Sequence, residues 1–183
     1  MKRSLQLALF AVVAIGAATA GYLSNRGAEP GTPAPLQAVS RETVDALLAL
    51  RLPDTEGEEQ ALAQWQGKII VANFWATWCP PCRKEIPDFS AVSQAMANEP
   101  VQFVGISVDS ADKVREFDAE FQVPYPLLIA GTPVLELAAG FGNNARALPF
   151  TVILDRDGTV RHIKLGTLHR EELERKIRAL LPS

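Results

Sequence analysis

Chemistry in this chain begins at Cys79 and Cys82, its only two cysteines in 183 residues. They stand in Trp78-Cys79-Pro80-Pro81-Cys82, directly behind the apolar run Ile69-Ile70-Val71-Ala72-Asn73-Phe74-Trp75. An apolar run of this length reads as a buried strand, and a proline pair suits the first turn of a helix. The dithiol therefore falls where a strand hands over to a helix. Free N–H groups and partial positive charge at a helix start favour a thiolate over a thiol. Residues i and i+3 share a helix face, with Cα atoms roughly 5–6 Å apart, so the pair can close and reopen with little backbone motion. Cys79, ahead of the helix, is the expected attacking sulfur at the exposed end. Cys82, one turn in, is the expected resolving thiol. An inert structural bridge is the other reading, but a span of three residues constrains almost no chain. Pro80 and Pro81 withdraw two N–H donors, leaving the amides of Cys82 and Arg83 to face the sulfur.

The surrounding pattern supplies the scaffold. Ile69–Ala76 and Val101–Val108 read as buried strands, with a helix from Pro80 to about Asn98 between them. Pro87 falls inside that helix and is expected to kink it. Asp109-Ser110 reads as a cap for a helix carrying Val114, Phe117 and Phe121 on one side. Tyr125–Ile129 reads as a short strand, and Thr132-Pro133 opens a short helix that Gly140 closes. Phe150–Leu154 and Thr159–Leu165 form a hairpin around Asp155-Arg156-Asp157-Gly158. Leu173, Ile177, Leu180 and Leu181 mark the core stripe of a last helix. Upstream, Ala46–Leu52 reads as a strand and Gln60–Trp65 as a short strand or helical turn. The class is α/β: a central mixed β-sheet flanked by helices on both faces, with an N-terminal strand extension.

Composition limits the alternatives. A net charge of −3 gives no basic footprint for nucleic acid. Two cysteines do not make a disulfide scaffold, and one CxxC is too few soft ligands for structural zinc. No metal and no cofactor beyond a redox-active Cys79–Cys82 disulfide is expected. Lys2-Arg3 precedes a charge-free apolar stretch from Ser4 to Asn25. As an anchor, Leu5–Leu23 would span roughly 28 Å of bilayer. As a signal peptide, the stretch would be cut after Ala18-Thr19-Ala20. Both readings leave the N-terminus inside and export the rest. The expected organisation is an anchor or signal peptide over 1–26, a Pro/Gly-containing linker over 27–43 and one domain over 44–183.

The run Val71-Ala72-Asn73-Phe74-Trp75-Ala76-Thr77-Trp78-Cys79-Pro80-Pro81-Cys82-Arg83-Lys84-Glu85-Ile86-Pro87 resembles the TlpA/ResA-type thiol-disulfide oxidoreductases, membrane-tethered proteins exported by bacteria. The resemblance extends to Gly105-Ile106-Ser107-Val108-Asp109 and to Leu148-Pro149-Phe150-Thr151-Val152-Ile153-Leu154-Asp155-Arg156-Asp157-Gly158. It implies a thioredoxin fold with a helical insertion near residues 111–140. It places Pro149 in the cis-proline loop facing the dithiol, with the Leu148 backbone available to pair with a substrate. Thioredoxin itself carries a buried acid where this chain has Asn73, so the proton acceptor must lie elsewhere. Glu85, three residues beyond Cys82 and on its face, is the candidate, and the family carries a glutamate there. An exposed glutamate paired with a neighbouring cation is the alternative. Trp78 and Pro80 are expected to border the partner's binding surface, and Trp75 reads equally well as core. Asp109, Asn143 and Asn144 read as loop and cap residues, and His162 and His169 as structural.

Together these imply a disulfide reductase on the periplasmic face of the inner membrane. Missing N–H donors should place the Cys79 pKa nearer thioredoxin's (about 7) than DsbA's (about 3.5), which favours a reductant. By resemblance, the clients are exported cysteine-containing proteins: apocytochrome c before haem attachment, or copper sites during assembly. Electrons would come from a membrane thiol transporter of the DsbD/CcdA kind. The competing readings are a disulfide-forming oxidase and a Cu(I)-binding delivery module using both thiols. A peroxiredoxin would rely on a lone cysteine in a loop that this motif does not resemble.

Overall fold

The structure, a computed structural model, describes residues 39–181. The N-terminal anchor or signal peptide expected over 1–26, and the linker up to residue 38, lie outside the described residues.

The first element corrects the expected strand over Ala46–Leu52. Helix α1 spans Arg41–Leu48 and starts inside the stretch read as linker. Ser40, in extended backbone, accepts the Thr43 N–H on its side chain at 3.1 Å, closing one of the open donors of a helix start. Val44, Leu47 and Leu48 then fall on one stripe and are buried, a spacing the strand reading overlooked. Strand follows only at β1 (Arg51–Pro53), which pairs antiparallel with β2 (Glu59–Ala61). Asp54 fixes the turn between them by accepting the Glu56 and Glu58 N–H groups at 3.0 and 2.9 Å. A 3₁₀ turn over Leu62–Trp65 leads into the sheet.

That sheet has five strands: β3 (Ile69–Trp75), β4 (Val101–Ser107), β5 (Leu127–Ile129), β6 (Phe150–Leu154) and β7 (Val160–Leu165). Their order is β5-β4-β3-β6-β7, with β3, β4 and β5 parallel and β6 and β7 antiparallel to their neighbours. All seven residues of β3 are buried, as a central strand covered on both faces requires. The covering helices are α2 (Pro80–Ala95), α3 (Ala111–Phe121), α4 (Val134–Gly140) and α5 (Arg170–Arg178). Pro87 lies inside α2, as expected.

Alternation along β3 divides the two faces. Asn73 and Trp75 point to the side of α2 and α3: Asn73 meets Glu85, and Trp75 packs on Phe117 at 4.7 Å between ring centroids. Helix α5 packs on α2. On the opposite side Ile70 shares a pocket with Val44 and Leu48 of α1, and α1 packs on α4. Gly105 of β4 leaves room for the Trp75 ring; a Cβ there would lie 2.6 Å from Leu127 Cδ2 and 3.0 Å from Trp75 Nε1. Leu180 and Leu181, read as part of the last helix stripe, fall beyond its end and pack half-buried against the core. This is the thioredoxin arrangement, with α3, β5 and α4 occupying the stretch in which the insertion is expected.

Candidate active site

Strand β3 stops at Trp75, and four residues later Cys79 takes the N-cap position of α2. Its N–H bonds the Ala76 carbonyl at 3.2 Å, and Pro80 and Pro81 fill the first two helical positions. Cys79 and Cys82 form a disulfide with Cα atoms 5.3 Å apart. The Cys82 N–H points at Cys79 Sγ at 3.3 Å. The Arg83 N–H does not join it. It bonds the Cys79 carbonyl at 3.1 Å as part of the helix ladder, so the sulfur has one amide donor where two were expected. Cys79 is also less open than expected, at 3% exposure against 0% for Cys82, in the disulfide-bonded state. What stands exposed around it are Trp78, at 63%, and the rings of Pro80 and Pro81.

Beneath the dithiol, one turn further along α2, Glu85 is fully buried. The exposed, cation-paired alternative therefore does not hold. Asn73 Nδ2 donates to Glu85 Oε1 at 2.8 Å and to Thr151 Oγ1 at 3.1 Å, and the Leu168 N–H donates to Glu85 Oε2 at 2.9 Å. Burial pushes the Glu85 carboxyl up to about 7, against the pull of the Leu168 and Asn73 donors and with a small push from Asp88. Loss of hydration outweighs two hydrogen bonds here. A carboxyl so tuned can take or yield a proton near neutrality. Asn73 Oδ1 and Trp75 Nε1 are buried without a partner.

The third wall comes from β6, the strand beside β3. Phe74 pairs with Phe150, and Phe150 with Leu165, which sets the preceding Leu148–Pro149 bond level with the end of β3 and the dithiol turn. That bond is cis, and the Pro149 carbonyl accepts the Gly166 N–H at 2.8 Å. Register thus puts Cys79, Cys82, Trp78 and Pro80 of the dithiol turn and the Leu148–Pro149 bond at the same end of the sheet, with Glu85 one turn further along α2.

Two residues assigned no chemistry in the sequence belong to this turn. Asp109, nearly buried, accepts both the N–H and the Oγ1 hydroxyl of Thr77 at 2.8 Å. Ser110 is the N-cap of α3 and makes no side-chain cap bond, while Asp109 clamps the segment that carries Trp78 and Cys79 through Thr77. Arg83 reaches back to the Thr77 carbonyl at 3.4 Å. A polar residue at the end of a strand beside the dithiol was the available signal. His162 lies near Lys176, held below its ordinary range by burial and then by Lys176 and Arg161. His169 is the exposed N-cap of α5. Trp75 is core. Among the described residues, no group of three or more His, Cys, Asp or Glu could hold a metal ion, and no helix is long and apolar enough to cross a membrane.

Known proteins share this arrangement. Residues 44–163 match the AhpC/TSA family. The thioredoxin-like protein YneN of Bacillus subtilis is 32% identical over 130 residues, covering 69% of this chain and 73% of YneN. The thiol-disulfide oxidoreductase ResA of Geobacillus thermodenitrificans is 30% identical over 132 residues, covering 72% of this chain and 74% of ResA. The crystal structure of a thioredoxin-family thiol:disulfide interchange protein from Chlorobium tepidum superposes with a TM-score of 0.67 at 27% identity, covering 73% of this chain and 93% of that one.

Proposed function

The chain belongs to the AhpC/TSA family of thioredoxin-like proteins and is a thiol-disulfide oxidoreductase, and from that premise we propose that it reduces disulfides in exported proteins. The observation that carries the direction is the single N–H donor on Cys79 Sγ. With Pro80 and Pro81 in the first turn and the Arg83 amide spent on a carbonyl, the backbone lends the thiolate little stabilisation, whatever side chains add. A weakly stabilised thiolate leaves the disulfide relatively favoured, so the reduced pair gives up electrons readily.

In the proposed cycle the Cys79 thiolate attacks one sulfur of a client disulfide, forming a mixed disulfide and releasing the other client sulfur, which takes a proton. Cys82 then loses its proton and attacks Cys79 Sγ. The Cys79–Cys82 bond forms, the second client thiol leaves, and two electrons have passed to the client. Tethering one turn away gives this second attack a high effective molarity. Glu85 is the proton acceptor for the Cys82 step. The Leu148–Pro149 backbone receives the client chain, bordered by Trp78 and Pro80.

The clients are exported cysteine proteins of the apocytochrome c or copper-site kind, and the dithiol is restored by a membrane thiol donor of the DsbD/CcdA kind. Basic Lys2-Arg3 ahead of an apolar stretch supports attachment to the periplasmic face of the inner membrane, N-terminus in, or release after cleavage near Ala20. The proposed layout is 1–26 for targeting, 27–43 as tether and 44–183 as the catalytic domain. Trapping the dithiol in intact cells with an alkylating reagent tests the direction. Mostly free thiols are expected; a mostly closed disulfide would assign the chain to oxidation instead.

A further inference from the structure

Arg83 is placed with unusual definition for a surface cation. Its guanidinium carbon lies 5.2 Å from the centre of the Phe117 ring and 5.1 Å from that of Phe121. Those two rings, one turn apart on α3, are themselves stacked at 4.3 Å. Its Nη1 donates to the Thr77 carbonyl at 3.4 Å, and Asp109 fixes Thr77 from the other side. The residue is half-buried on one wall of an open groove of about 340 Å³ that Thr77, Trp78 and Lys113 also line. Among the described residues, no carboxylate lies within ion-pairing distance of this guanidinium, although nine other Lys or Arg side chains pair with a carboxylate.

The charge is therefore permanent, makes no ion pair within 4 Å, and belongs to a residue one helical turn along α2 from Cys79, its guanidinium tied to the turn at Thr77, two residues before that sulfur. Aromatic rings on one side keep water away from it, which strengthens its field toward the dithiol. The sulfur has one amide donor and two prolines beside it, so few backbone dipoles share the work. We propose that Arg83 is the positioning cation that stabilises the Cys79 thiolate, and that α3 of the inserted region holds it in register with the dithiol. The inference rests on the reading of Cys79 as attacking nucleophile. Arg83 takes no part in bond making. It lowers the free energy of the thiolate that attacks the client disulfide, and of the same sulfur when Cys82 expels the client.

Other charges face this region. On α2 they are Lys84 and Glu85; at the start of α3 and along it they are Asp109, Lys113, Glu116 and Glu120. Lys113 lies 3.8 Å from the Asp109 carboxylate and is itself exposed, so its charge is shared with that carboxylate and screened by solvent. Glu116 and Glu120 are exposed and screened by solvent. Arg83 is left as the dominant positive contribution.

The test is ultraviolet titration of the Cys79 thiolate in the reduced protein, with the rate of alkylation at pH 7 beside it. Arg83→Met should raise the apparent pKa of Cys79 by roughly 0.5–1 unit, the effect of one nearby charge in a partly solvated setting. Alkylation at pH 7 should slow by about three- to tenfold, and the dithiol should equilibrate further toward disulfide against glutathione. Arg83→Lys, which restores charge without the planar fork, should recover at least half of the shift; a merely structural role predicts no such rescue. Phe121→Leu, removing one ring from beneath the guanidinium, should shift the titration partway in the Met direction. If Arg83→Met fails to fold, Arg83→Gln decides by the same titration. An unshifted titration, or a Lys variant that behaves like Met, overturns the inference. Failure of the unmodified protein to reduce insulin would instead overturn the nucleophile reading itself.

Discussion

Asn73 and Glu85 are joined by a hydrogen bond of 2.8 Å inside the core, an amide holding a carboxyl that carries no countercharge. The bond is too weak to offset burial, and the carboxyl is pushed up to about 7. A sign follows for stability. Between its unfolded value near 4.5 and about 7, the folded chain keeps a proton that the unfolded chain has released. The folded state thus binds more protons, and stability must fall as pH rises through that window. Denaturant unfolding of the oxidised protein should show this group's share of the loss, on the order of 3 kcal/mol between pH 4 and pH 8. Glu85→Gln should remove that share and flatten the profile. The new amide can still accept the Leu168 N–H, and Asn73 can turn its unpaired Oδ1 to receive it. A profile of equal slope in both proteins would show that Glu85 ionises freely. The same variant should take the corresponding step out of the pH dependence of insulin reduction, which is the test of its catalytic part.

Asp109 should matter to the turn as much as any residue within it. Its carboxylate accepts two bonds from Thr77 at 2.8 Å across 32 residues of sequence, and Thr77 is two positions before Cys79. Asp109→Ala leaves a half-buried N–H and a hydroxyl without an acceptor, a loss of roughly 2–4 kcal/mol. Thr77→Val removes the hydroxyl bond alone and should cost less than half as much. The two changes together should cost little more than Asp109→Ala by itself, because the double variant loses the same interaction only once. Additive losses in thermal or denaturant unfolding would mean the two residues act separately.

The contrast between Glu85 and Asp109 shows what a sequence conveys. Local spacing placed Cys79, Cys82 and Glu85 on one helix, and continuous apolar runs located β3 and β4 to within a residue or two. The orientation of Glu85 followed from its three-residue offset from Cys82. Its partner Leu168 lies 83 residues away, and the Asp109–Thr77 bonds depend on β4 pairing with β3 in one register. No local pattern encodes such contacts. Where local reading failed, at α1, two signals competed. Ala46–Leu52 is apolar enough for a strand, while the Ser40 cap and the buried Val44, Leu47 and Leu48 stripe belong to a helix. A three-residue strand does begin at Arg51, so the two elements overlap within the stretch first read as one.

Trp78 should separate binding from folding. It is one of two large hydrophobic side chains exposed among the described residues, at 63%, and it directly precedes Cys79. A ring with so little intramolecular contact contributes little to the native state, so Trp78→Ala should change unfolding free energy by no more than about 0.5 kcal/mol. A protein client is different: pressed against the dithiol, it would cover the indole, and aromatic anchors of that kind often carry more than 1 kcal/mol of binding. The expected result is a KM for insulin raised several-fold, with kcat and the Cys79 titration nearly unchanged. A small disulfide such as oxidised glutathione, too short to lie across the indole, should be reduced at close to the original rate. Equal losses on both substrates would place Trp78 in support of the sulfur itself, and a large drop in stability would make the ring a packing residue despite its exposure.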